Sequence, residues 1–490
     1  MLIALALFPA LILGDQWHSH QIADLRDHPS HLIALGALAL VASATLALLF
    51  RRWPILLPLA IVAALPFRIP LHAGGDTANL LVPLYLVIAG GVLATAAREW
   101  RATPALLPGT GSAGPAAWVP RILAAIVALY AIQVLYSEDF SKGLQNVCFF
   151  FVPFSLAYGL LREVTWDRKL LALVVWVIAL EAVAFVVVGS VEWVSRSLFW
   201  NDQVIRSNEF HTYFRVNSVF WDPNVYGRYL ALVAVVATSA LLWARERRSF
   251  GLLTALIAVV WFGLFPTFSQ SSFAALLAGL TILAALRWSV KWTAIAAAGS
   301  VVLVALIMTV AGSFSFDRIN IDTSGRANLV SGGIHLFAQR PVYGYGSGSF
   351  PKAYRVHVKT KKAPVSISHT EPITVAAEQG AIGLAAYVGL VITALWAMAS
   401  GGLVSRAGGA AGGTTPEDAS ATGGGGGSPA ATGPARLSVA RAAVLATFVA
   451  LLVHTMAYAG FFEDPITWVL LAMGSTLAAR VSACRDTSVA

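Results

Sequence analysis

Apolar runs close to twenty residues long recur along this chain with only short turns between them, and that repetition leaves little choice of fold. A helix of about twenty apolar residues spans roughly 30 Å of hydrocarbon. Charged residues make up 12% of the sequence against about 25% in soluble domains, so the runs do not belong to a water-soluble core. They predict an all-α polytopic membrane helix bundle. The spans fall near 1–14, 32–50, 54–67, 79–96, 118–136, 146–161, 170–191, 225–244, 251–266, 272–286, 292–311, 373–399, 442–461 and 466–481. The first and third are short for a bilayer and can be tilted, re-entrant or merged, so about 12–14 crossings are expected.

The net charge of +9 would point to nucleic acid in a soluble protein, but here it is set out turn by turn. Alternate turns carry Arg51 and Arg52; Arg98 and Arg101; Arg162, Arg168 and Lys169; Arg245, Arg247 and Arg248; Arg287 and Lys291; Arg406, Arg436 and Arg441; Arg480 and Arg485. The short turns between carry Arg26, Arg68 or Lys142, or no cation at all. The positive-inside rule places the first set, and both termini, in the cytoplasm. The long segments 192–224 and 312–371 then lie outside. Both are basic, but long loops follow the rule poorly.

Other features limit function by what they lack. Cys148 sits in an apolar run and Cys484 in the basic tail, too few and too scattered for a disulfide scaffold or a metal centre. Met1 to Gly14 has neither a basic n-region nor an A-x-A-like cleavage site and reads as a retained first span. Residues 401–438, with five glycines from Gly423, cannot bury enough surface to offset their ordering entropy. A main bundle over 1–400, a flexible cytoplasmic linker over 401–438 and a C-terminal helix pair over 439–490 are therefore expected. No transporter-like internal repeat is visible.

The segment from Gly312 to Glu371 breaks the pattern. It spends about sixty residues on Gly, Tyr, Ser, Lys, Arg and His, and ends in Ser368-His369-Thr370-Glu371-Pro372 where the next span begins. Pro372 suits a first helical turn. His369 is then held at the outer membrane boundary, where an imidazole can accept a proton near neutral pH. Spacing alone does not separate that role from an interfacial histidine satisfied by a neighbour. Arg215 in the earlier loop and Arg326 in this one carry forked guanidiniums suited to a pyrophosphate. Single loop arginines are more often solvated or snorkelling. A short helix is expected over 327–339, followed by Arg340-Pro341-Val342-Tyr343-Gly344-Tyr345-Gly346-Ser347-Gly348. Those glycines lack the Lys-Ser/Thr ending of a phosphate loop and read as a tight turn, with Tyr343 and Tyr345 placed to touch sugar or lipid. Lys352, Arg355 and Lys359 to Lys362 either attract anionic groups or form a solvated face. Glu181, in the middle of a span, is a functional candidate or a hydrogen-bonded packing residue.

The order of these features resembles the O-antigen ligase and polymerase superfamily. Three motifs carry the resemblance: Arg-x-x-x-x-Phe-x-x-Pro-Asn at 215–224, Pro-x-x-Gly-x-Gly at 341–346, and His-x8-Glu-x-Gly-x-x-Gly at 369–383. It covers about 215–390 specifically and the other spans only by hydropathy. Thr370 stands where the family often has Asn, Leu329 and Val330 where a tryptophan commonly follows the loop arginine, and Gln270-Ser271-Ser272 where Ser-Arg-Gly is expected.

The resemblance implies a metal-independent, inverting glycosyltransferase of the inner (cytoplasmic) membrane with no cofactor. Its donor would be a glycan on undecaprenyl pyrophosphate, and its acceptor a lipid, glycan or protein hydroxyl. Arg215 and Arg326 would hold the pyrophosphate and His369 would deprotonate the acceptor. Arg340, Tyr343, Tyr345, Asn224 and Glu371 would line the substrate. Polymerases and protein O-oligosaccharyltransferases share this core. A reading of another class, a carrier for lipid-linked glycans, needs bundle-facing charges, of which the sequence offers mainly Glu181 and Arg228.

Overall fold

In hydrocarbon no water competes for backbone groups, so an uninterrupted apolar run closes its own hydrogen bonds as a helix. A computed structural model describes residues 1–17, 27–73, 76–99, 114–210, 213–296, 298–299, 326–358, 368–410 and 434–486. Its helices are α1 (Leu2–Gln16), α2 (Pro29–Arg52), α3 (Leu56–Ala64), α4 (Val82–Glu99), α5 (Trp118–Val134), α6 (Phe140–Arg162, with a π-helical turn at Val147–Phe151), α7 (Arg168–Ser195) and α8 (Asp202–Phe210). Then follow α9 (Pro223–Leu242), α10 (Arg247–Leu264), α11 (Gln270–Arg287), α12 (Arg326–Gln339), α13 (Phe350–His357), α14 (Glu371–Ala410), α15 (Pro434–Thr455) and α16 (Pro465–Asp486). Among the described residues nine helices are long and apolar enough to cross a membrane, and three shorter apolar helices join them. The protein is a multi-pass membrane helix bundle.

The expected span at 54–67 is corrected by the structure. Leu56–Ala64 makes nine helical residues, too few to cross, and the chain turns into an antiparallel ribbon of β1 (Ile69–Ala73) and β2 (Asp76–Leu80). Pro66 and Pro70 deny the helix its continuing N–H donors. Most of the expected span at 292–311 lies outside the described residues, as do 312–325 and the lysines at 359–362. The short helix expected over 327–339 is α12.

The centre of the bundle is α9, buried over most of its length and packed by α7, α10, α11 and α15. Its start is fixed chemically. Pro223 takes the first helical position, and the Asp222 carboxylate accepts the Asn224 N–H at 2.6 Å. Arg228, one turn further in, is buried and paired with Asp464 at 2.8 Å. Asp464 in turn caps α16 by accepting the Ile466 N–H. Glu181 meets the Tyr229 hydroxyl at 2.7 Å. Both charges noted in the spans are therefore tied to partners within the bundle.

Helix α14 is broken at Gly380, whose φ of 66° and ψ of −165° are non-helical. The break frees backbone groups, and the glycine-rich turn satisfies them. Tyr345 and Gly346 donate their N–H groups to the carbonyls of Ala377 and Glu378, while Ala381 donates to Pro341. The Glu378 carboxylate fills the same turn, accepting the N–H groups of Gly348 and Phe350 at 2.9 and 3.0 Å. These glycines form a tight turn, as expected, and the donors a phosphate would use here are already engaged by a carboxylate. Gly346 has a φ of 93°, and a Cβ there would collide with Ser137 Cα. Gly346→Ala is expected to cost roughly 3 kcal/mol through left-handed strain and overpacking, read as a lower unfolding temperature in detergent.

Candidate active site

Four segments converge on the end of the bundle where α9 and α14 begin. The first is the turn before α9. Arg215 is anchored at its backbone by Asn208, which accepts its N–H at 3.0 Å and donates to its carbonyl at 2.9 Å. The side chain is aimed by two further bonds, from Nε to the Thr267 carbonyl at 2.8 Å and from Nη2 to Asn224 Oδ1 at 3.1 Å. Beneath this turn Glu192, near the end of α7, accepts the N–H groups of Asn217 and Ser218 at 3.1 and 2.7 Å. Ser218 needs that tether, since its φ of 50° is left-handed.

The second segment is the start of α12. Arg326 Nη1 donates to the Ala457 carbonyl at 3.0 Å. It thereby reaches the third segment, the turn between α15 and α16 that carries Tyr458.

The fourth segment brings His369. Ser368 braces it by donating its hydroxyl to the Thr370 carbonyl at 2.7 Å and accepting the Thr370 N–H. Thr370 also donates its hydroxyl to the Met456 carbonyl at 3.0 Å. Between these bonds His369 adopts a left-handed backbone, φ 62°, which costs a non-glycine residue about 1–3 kcal/mol. Its ring lies 6.2 Å from that of Tyr458. Its Nδ1 is buried and has no hydrogen-bond partner among the described residues.

The electrostatics bind the four segments into one site. Burial, and then the Arg326 cation, lower the His369 pKa below the ordinary imidazole value, with Asp222 opposing them. Burial also lowers the pKa of Arg215, again against Asp222, and the like charge of Arg326 lowers it further. The Tyr458 hydroxyl is held protonated well above the usual phenol range, chiefly by burial and then by the Asp222 carboxylate. Two guanidiniums, a neutral imidazole and a protonated phenol thus share one half-buried place. Such a group can hold a polyanion and accept a proton beside it.

The other residues expected from the sequence have different partners. Asn224 is at the site, bridging Arg215 and the Ser269 hydroxyl, which donates to it at 2.9 Å. Glu371 is buried, and its carboxylate accepts the N–H groups of Gly460 and Phe461 at 2.7 and 3.0 Å. It positions the Tyr458 turn, and both of its acceptor contacts are with protein. Arg340 pairs with Glu138 at 3.3 Å and lies 4.2 Å over the Tyr345 ring. The Tyr345 hydroxyl donates to Gln339, and the Tyr343 carbonyl accepts the Tyr136 hydroxyl. These three contact the 136–138 turn and not the Arg326–Tyr458 group.

Sequence reasoning missed Tyr458, Asp222 and the buried serines at 269–272. Asp222 had a signal, since an Asp before Pro-Asn at the start of an apolar run is a helix cap. His454, in contact with Ser271 at 3.2 Å, was also legible as a histidine within a span. Tyr458, in a turn far along the chain, had none.

Residues 255–388 match the family model described as O-antigen ligase. Over that stretch the chain is similar to the O-antigen ligase family. The matched stretch runs from within α10 into α14 and contains Arg326 and His369. Arg215, Asn224 and Tyr458 lie outside it. A search of curated proteins finds no match to the chain.

Proposed function

We propose that the protein transfers a glycan from an undecaprenyl pyrophosphate carrier to an acceptor hydroxyl on the extracytoplasmic face of the inner membrane. The observation that carries this reading is the meeting of His369, Arg326 and Arg215 at one end of a membrane bundle, two cations beside a base of lowered pKa. The ends of α7, α9 and α11 away from them carry Arg168, Arg245 and Arg287, which the positive-inside rule assigns to the cytoplasm along with both termini.

In the proposed reaction Arg215 and Arg326 neutralise the pyrophosphate as the anomeric C–O bond breaks. Both electrons of that bond leave with the pyrophosphate oxygen. His369 removes the acceptor proton as the new C–O bond forms from the opposite side, which inverts the anomeric centre. Asn224 and Thr267 aim Arg215, and Glu371 holds the Tyr458 turn against Arg326. Tyr343, exposed at the outer loop, and the half-buried Arg340 would meet the more distant sugars, with the buried Tyr345 ring beneath Arg340. The two charges within the spans that a carrier would draw on, Glu181 and Arg228, are both engaged.

The test is to supply purified protein with a lipid-linked oligosaccharide and candidate acceptors and to weigh the products. A single transfer onto a distinct acceptor means ligase, and a ladder of repeats means polymerase. Absence of any new glycosidic bond with all acceptors would contradict the proposal. The pH dependence is a second check. His369 works as the neutral base, so rate falls as pH drops through its pKa. Since that pKa is lowered, the acid limb of the initial rate is expected to have its midpoint below pH 6.5, the ordinary value. A midpoint above 6.5 would remove His369 from the role.

A further inference from the structure

A wide opening lies at the other end of the bundle from the site just described. A cavity of about 810 Å³ lies between α7 and α10 on one side and α15 and α16 on the other, with α9 as its back wall. That volume is in the range of ligand pockets, roughly 300–1,000 Å³. Its walls are almost wholly apolar, from Val233 and Val236 on α9 to Leu470 on α16. It reaches from Tyr229 down to the mouth beyond Leu242, roughly 20 Å of helix, a little more than one leaflet of hydrocarbon.

Three features mark the mouth. Arg168 and Arg245 line it and are exposed. The neighbouring acids are engaged, Asp167 in capping α7 through the Leu170 N–H and Glu246 with the Ser249 hydroxyl. Just inside, Ser239 lines the cavity with a buried hydroxyl that has no partner among the described residues. Water does not settle in so apolar a space, and an orphaned hydroxyl at its neck asks for an acceptor. Acyl chains from the surrounding bilayer are the available filling.

We propose that this cavity is a binding site for one anionic phospholipid of the cytoplasmic leaflet. Its phosphate lies between Arg168 and Arg245, an ester carbonyl accepts the Ser239 hydroxyl, and its acyl chains run toward Tyr229. The order of cation, hydroxyl and apolar wall along the cavity repeats the order of phosphate, ester and chain along a phospholipid. The site is separate from Arg215 and His369 and does not depend on the reaction assigned to them.

The test is native mass spectrometry of the full chain released from nanodiscs holding equal phosphatidylglycerol and phosphatidylcholine. One retained phosphatidylglycerol is expected. Arg168→Gln with Arg245→Gln should cut the preference for phosphatidylglycerol over phosphatidylcholine by roughly 30-fold, two surface cations' worth of attraction. Ala240→Trp, which fills the cavity from α9, should abolish retention in protein that still elutes as a single species with unchanged helix content. Should the tryptophan variant fail to fold, the arginine pair decides. Retention of no lipid, of both lipids equally, or of a polyisoprenoid in their place would overturn the proposal, as would unchanged preference in the arginine variant.

Discussion

Replacing His369 with alanine is expected to lower the rate of glycan transfer by roughly 10²–10⁴-fold, the usual contribution of a positioned general base. Donor binding should change little, because the pyrophosphate is assigned to Arg215 and Arg326. The measurement is single-turnover transfer beside equilibrium binding of the lipid-linked donor. His369 has a left-handed backbone, so the unfolding temperature of the variant must be followed too. His369→Asn is the matched control, since asparagine tolerates that conformation and does not act as a base. Both variants should fail in transfer while remaining folded. Transfer within a few-fold of normal by either would remove the histidine from the chemistry.

Arg326→Ala carries the second large expected effect. Loss of one preorganised charge at the leaving group should slow transfer by about 10²–10³-fold. Arg326→Lys should recover only part of this, because an ammonium keeps the charge but not the planar fork. The same substitution makes an independent prediction through His369. The Arg326 cation helps to lower the imidazole pKa, so its removal must raise it. The acid limb of the residual activity should therefore move to higher pH in Arg326→Ala than in the unaltered protein, and less so in Arg326→Lys. A slow variant whose pH profile does not move would mean that Arg326 acts away from His369.

The membrane architecture was legible because each span is a local property. Twenty apolar residues need no distant partner to become a helix, and basic turns mark their ends one by one. Where a run was short, the local signal failed. Residues 54–67 read as a short third span that could be tilted, re-entrant or merged, and Pro66 and Pro70 turn the chain into a ribbon there. The glycine-rich turn was readable as a turn from its glycines. That its donors are filled by Glu378 was not, because the pairing depends on a helix break thirty residues on in the chain.

The site divides in the same way. His369 was singled out by its place at the end of an unusual polar segment, Arg326 by its place within it, and Arg215 by its motif. Their common ground, the Tyr458 turn, belongs to the last pair of helices and nothing local marks it. Arg340, Tyr343 and Tyr345 were grouped with His369 because they share its loop. The fold instead sets them against Glu138 and Tyr136, from the turn between α5 and α6. Nearness in a loop sequence does not fix nearness across a bundle mouth.

The central claim is that this site breaks a glycan–pyrophosphate bond and makes a glycosidic bond in one step. Its most direct measurement follows a doubly labelled donor in proteoliposomes, with one label in the glycan and the other in the polyprenyl pyrophosphate. The account predicts equal amounts of new glycoside, of inverted configuration, and of free polyprenyl pyrophosphate, both lost in His369→Ala. Movement of intact donor across the bilayer with neither product formed would contradict it.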